Sequence, residues 1–232
     1  MTDSARSQIF AKLRQASRGA PVEVMDRELQ AMGRAPTATL PHPDLCTAFL
    51  ANVLNNQGTV DCTGNRSETV KVVGQYVYQH YHSHRLVAGN DPRLAAMPWR
   101  DAGVLPRFGS VEPGEPVALS FARLAVAETG SIVTWTGKAN PPANNLLPER
   151  HIVLVDSADL VANTEQAWDR INQDMEKQGR PRGINFIAGP SSTADIEGQL
   201  VYGAHGPHSW HVILMGDVPV TALQEAHSVA GL

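Results

Sequence analysis

Three short apolar runs, VALSF (117–121), HIVLV (151–155) and HVILM (211–215), constrain this chain more than any other feature. None shows the polar–apolar alternation of a half-exposed strand, so each reads as a strand covered on both faces. Strands of that kind need helices above and below them. The expectation is an α/β fold with a mainly parallel sheet. Further strands are expected at TVDC (59–62), HRLVA (84–88), SIVTW (131–135) and INFIA (184–188).

Helical patterns lie between these runs. Asp44 caps a helix to about Asn56, with Gly58 beyond its end. Asn65 and Glu68 form a capping box for a helix through Tyr81, with Val70, Val73 and Val77 on one face. A third helix from about Asn163 to Gln178 aligns Trp168, Ile171 and Met175 and stops at Gly179. Before them, Ile9, Leu13 and Ala16 mark an N-terminal helix. The stretch from Pro21 to Pro43, broken by Gly33, Pro36 and Pro41, reads as an extended arm. This divides the chain into an appendage (1–43), a main domain (44–216) and a C-terminal tail (217–232) expected to be mobile. No internal repeat or low-complexity segment interrupts the pattern.

Composition narrows the function. A net charge of -4 argues against a nucleic-acid partner, which needs a basic surface. No apolar run approaches the ~20 residues of a membrane span, and the N-terminus lacks an apolar signal core, so a cytoplasmic location is expected. Cys46 and Cys62 fall short of the four thiolates an iron–sulfur cluster usually takes, so no cofactor is expected in this chain. There is no G-x-S-x-G elbow, no Walker A motif and no G-x-G-x-x-G fingerprint.

Ligands of open α/β sheets bind beyond the carboxyl ends of the strands, which directs attention to the loops. Glu128, Thr129 and Gly130 allow a tight turn with a carboxylate beside it; the plainer reading is a hairpin-like turn with a solvated Glu. After Gly189, Ser192 with Asp195 fits a capping box. A helix starting there would present free amides beside the Ser191, Ser192 and Thr193 hydroxyls, a site for a small carboxylate or phosphate. Simple helix capping explains the hydroxyls almost as well. Gly203, Gly206 and Pro207 make a second tight loop, in which His205 is the best candidate for proton handling. His80, His82 and His84 span a helix end and a strand start, where convergence on a metal is not expected, and no metal site is assigned.

The segments AETGSIV, LLPERHIVLV and GPSSTADIEGQLVYGAHGPHSWHVIL closely resemble the signature blocks of the lactate-utilisation protein C family, the LUD domain, over residues 45 to 216. The resemblance implies a Rossmann-like fold of the NagB/RpiA/CoA-transferase group. It also implies a role in oxidising L-lactate to pyruvate beside partner proteins that carry iron–sulfur clusters. Glu128 and His205 would then be catalytic, and Thr129, Gly130, Gly189, Ser191, Ser192, Thr193 and Asp195 would bind substrate. One departure stands out: Ser192 replaces the Arg common in that segment, removing a bidentate carboxylate clamp. Two other readings stay open. Fold relatives use a Glu-x-Gly glutamate as a nucleophile on acyl groups, which makes Glu128 of an independent acyl- or CoA-handling enzyme the first alternative. A non-catalytic scaffold is the second.

Overall fold

A computed structural model describes residues 3–16, 19, 21–33, 36, 39–194 and 199–232. The chain divides into two compact units, Met1–Thr37 and Ala38–Leu232. The first holds α1 (Asp3–Ala16) and α2 (Val22–Ala31). Here α2 replaces part of the expected extended arm. Pro21 precedes it with φ already near the helical value, Val22, Met25 and Leu29 recur at helical spacing, and Gly33 at φ +71 follows its end. The Pro and Gly residues that suggested an arm bound a helix instead.

In the second unit the chain runs through α3 (Leu45–Asn55), β1 (Thr59–Thr63), α4 (Arg66–Tyr81), β2 (Arg85–Ala88), α5 (Pro92–Ala95), β3 (Leu105–Phe108) and β4 (Val117–Phe121). It continues through β5 (Leu124–Val126), β6 (Ser131–Trp135), α6 (Pro142–Leu146), β7 (Arg150–Asp156), β8 (Leu160–Val161) and α7 (Thr164–Gln178). The last elements are β9 (Ile184–Ile187), β10 (Ser192–Ala194), β11 (Leu200–Tyr202), β12 (Ser209–Met215) and α8 (Ala222–Ala230).

Six of these strands make one sheet in the order β1-β12-β7-β4-β2-β3, all parallel. Successive side chains point to opposite faces, so each buried strand feeds two cores. Val153, Val155, Val212 and Leu214 meet Phe49, Leu50 and Val53 of α3. Ile152, Leu154 and Ile213 meet Val70, Val73 and Val77 of α4 on the other face. The caps expected at Asp44 and Asn65 form, Asp44 accepting from Thr47 N at 2.8 Å and Asn65 from Glu68 N at 3.0 Å; Asn163 caps α7 in the same way, accepting from Gln166 N at 3.0 Å.

Two expectations need correction. SIVTW and INFIA lie outside the parallel sheet, in a second sheet ordered β8-β5-β6-β9 whose β5–β6 and β6–β9 pairs are antiparallel. Apolarity marked them as buried strands but carries no information about partner or direction. Residues 217–232 are not a mobile tail. They contain α8, whose Ala222 and Ala226 are fully buried in the core shared with α3. Two small residues four apart let one helix lie close against another.

Candidate functional site

The loops singled out in the sequence converge at the amino ends of the parallel strands, not at the carboxyl ends. Helix α3 delivers Asn56 to the start of β1, and the 203–208 loop delivers the chain to the start of β12. Against the last turn of α3 packs the turn joining β5 to β6. Asn52 Nδ2 donates to the carbonyls of Ala127 (2.8 Å) and Glu128 (3.1 Å), and Asn56 Nδ2 donates to that of Thr129 (2.8 Å). Gly130, at φ +63, touches the α3 backbone so closely that a side-chain carbon there would lie 2.6 Å from the Asn52 carbonyl carbon. Gly189, at φ +97, meets the Asn56 carbonyl oxygen in the same way. Next along, Ser191 N donates to Pro207 O and Ser191 O accepts from Gly203 N, each at 2.8 Å.

These contacts gather Thr129, Gly130 and Gly189 around one helix end and tie Ser191 to the 203–207 loop, but as packing. No helix starts at Ser192. Ser192, Thr193 and Ala194 form β10, paired antiparallel with Tyr202, Val201 and Leu200. The anion site built on a helix N-terminus is therefore corrected to a hairpin, because Thr193 opposite Val201 favours strand pairing over the capping pattern. Asp195 lies outside the described residues. His205 is exposed in the loop after β11. Glu128 caps α7: its carboxylate accepts from Thr164 N at 3.0 Å and from Thr164 Oγ1 at 3.2 Å. The Thr129 hydroxyl bonds to that of Ser131. The three alternating histidines pack on tyrosines, His80 against Tyr76 and both His82 and His84 against Tyr78.

Chemistry that motif reasoning missed sits at the carboxyl ends of β2 and β4. Arg93 grips Asp91 through Nε (3.0 Å) and Nη2 (2.8 Å) and stacks 3.9 Å over Phe121. Arg123 stacks 3.9 Å over Trp135 and donates to Asp174 at 2.8 Å. Asp159 stands 3.9 Å from both Arg93 and Arg170, and burial pushes its carboxyl above the ordinary range despite them. A cleft of about 420 Å³ runs along this array, but its three arginines face three aspartates and leave little net charge.

The adjoining cleft, about 280 Å³, is different. Arg123, Lys138 and Arg180 line it against a single acid, Asp91. Two further residues of its wall carry buried donors with no partner among the described residues, Trp135 Nε1 and Asn140 Nδ2. The Asn140 side-chain oxygen is held from behind by Ser120 Oγ at 3.1 Å, which also contacts Asn145 Oδ1 and lies 2.9 Å from His151 Nε2. His151 is wholly buried, and burial pulls its pKa down to about 3, so this support is neutral at physiological pH. Surplus cations beside unsatisfied N–H groups suit an oxyanion. Arg93, Arg123, Lys138 and Arg180 share no motif. Their only trace in the sequence is that Phe121 and Trp135, the rings two of them stack on, end the expected strands VALSF and SIVTW.

Fold and cleft together define a Rossmann-like α/β domain with a cation-lined cleft at the carboxyl ends of its strands. The crystal structure of a DUF162 family protein from Deinococcus radiodurans shares this fold, with a TM-score of 0.57 at 19% identity over 74% of this chain and 96% of that one. The LUD domain model matches residues 116–215. Lactate utilization protein C of Macrococcus caseolyticus is 32% identical over 166 residues, 67% of this chain and 70% of that protein. Its counterpart in Exiguobacterium sp. is 30% identical over 149 residues, 60% of this chain and 65% of that protein. The Bacillus subtilis protein of the same name is 37% identical over 102 residues, where the match spans 42% of its length. This chain belongs to the lactate utilization protein C family.

Proposed function

We propose that this chain acts in the cytoplasm as the small-anion-binding component of a system that oxidises L-lactate to pyruvate, with iron–sulfur clusters carried by partner proteins. The name shared by its relatives supports the lactate part of this reading. The cleft beside Trp135 carries the anion part. Lactate and pyruvate are small carboxylates. Lys138 and Arg180 would supply attraction, while Trp135 Nε1 and Asn140 Nδ2 would supply direction. Cluster chemistry is assigned to partners because Cys46 and Cys62 supply only half of the four thiolates a cluster usually takes. Among the described residues no helix is long and apolar enough to cross a membrane.

Acyl transfer through Glu128 is less well supported, because the carboxylate it requires is bonded to the first turn of α7. The test is growth on L-lactate. A strain lacking this chain should fail to grow, the intact chain should restore growth, and the double variant Lys138→Glu, Arg180→Glu should not. An iron–sulfur protein should copurify with the tagged chain. Normal growth on L-lactate without the chain would overturn the assignment.

A further inference from the structure

Strand β3 is the sheet edge and β4 lies two places in, with β2 between them, so the 109–116 connection must cross β2. It is a built strap. Glu112, Pro113, Gly114 and Glu115 form a turn closed by Glu115 N donating to Glu112 O at 3.2 Å, with Gly114 at φ +86 as such a turn requires. Arg107 pins it through Nε to Glu115 Oε1 at 2.6 Å and Nη2 to the Ser110 carbonyl at 2.7 Å. The fully buried Asn144 accepts from Val111 N at 2.7 Å and donates to Gly109 O at 2.9 Å.

Beside the strap lies a cavity of about 570 Å³, within the range of small-molecule sites. Its walls are largely apolar, from Leu86, Val87, Leu105, Pro106, Pro116 and Val117. The polar groups there are almost all committed. Tyr81 donates its hydroxyl proton to Glu149 at 3.0 Å, and Arg107 is matched by Glu112 and Glu115. Arg85 is the exception. It lines the cavity, is exposed, and its guanidinium has no carboxylate partner among the described residues. Apolar walls with one uncompensated guanidinium specify an occupant that has both an apolar body and an anionic head.

We propose that this strapped cavity binds an apolar-bodied organic anion whose head group pairs with Arg85. The site lies at the amino ends of β2, β3 and β4, apart from the Trp135 cleft, and does not depend on the lactate reading. Titration of the full chain with octanoate tests it, with octanol and inorganic phosphate as comparisons. Octanoate should bind saturably. Octanol lacks the charge and phosphate the body, so each should bind at least about tenfold more weakly. Arg85→Glu should weaken octanoate about tenfold or more, and Leu105→Trp, at an exposed wall position, should block it without unfolding the protein. Absence of saturable octanoate binding, or unchanged affinity in a folded Arg85→Glu protein, would overturn the proposal.

Discussion

Asn56 and Gly189 meet backbone to backbone: the Asn56 carbonyl oxygen lies 2.3 Å from where the first side-chain carbon at position 189 would stand. The contact binds the exit of β9 to the end of α3, and the Asn56 side chain reaches from the same turn to Thr129. The glycines at 130 and 189 therefore serve the approach of two chain segments to one helix.

Gly189→Ala combines that clash with φ +97, a region L-residues avoid. It should cost more than about 2 kcal/mol of folding stability. Gly103→Ala, at φ +65 but with open space around it, should cost only about 1 kcal/mol. Denaturant melts of the two variants check this, and equal losses would contradict the packing role given to Gly189.

Asn52 holds two carbonyls at once, so Asn52→Ala strands both and should lose about 1–3 kcal/mol. Glu128→Gln weakens only the α7 cap and should lose about 1 kcal/mol. Calorimetry should find lactate or phosphate binding unchanged in folded Glu128→Gln protein. Loss of binding there would return Glu128 to the site.

His151 gives the fold a pH dependence. Its folded pKa of about 3 lies below the ordinary 6.5, so between those values the unfolded chain takes up a proton that the folded chain refuses. Stability should therefore fall as pH drops through that window, by up to about 1.4 kcal/mol per pH unit, with no contribution from this residue above it. His151→Gln should flatten the slope between about pH 6 and pH 4, the upper part of that window. Equal slopes in the two proteins would contradict a neutral, buried His151.

The fold was legible where local physics decides it. VALSF, HIVLV and HVILM could only be buried strands, and the caps at Asp44 and Asn65 sit where their side chains reach the third amide onward. Strand direction was not legible, because antiparallel β6 is as apolar and as buried as the parallel strands, and the apolar run of β9 concealed that it is a half-exposed edge strand. Nor was the site. Ser192 and Asp195 have cap spacing, yet Ser192 to Ala194 pair with Leu200 to Tyr202, a contact no local pattern encodes. Likewise Arg123, Lys138 and Arg180 become neighbours only when β4, β6 and the end of α7 are assembled.

If the Trp135 cleft binds a small carboxylate, the indole N–H of Trp135 reports on it directly. In protein labelled with ¹⁵N at its indoles, titration with L-lactate or pyruvate should shift the Trp135 Nε1–H resonance saturably, as that donor gains an acceptor. The resonances of Trp99 and Trp210, buried elsewhere, should stay in place. In the Lys138→Glu, Arg180→Glu protein the Trp135 shift should require at least about tenfold more ligand. A Trp135 resonance that stays fixed under excess lactate and pyruvate would rule out carboxylate binding in this cleft.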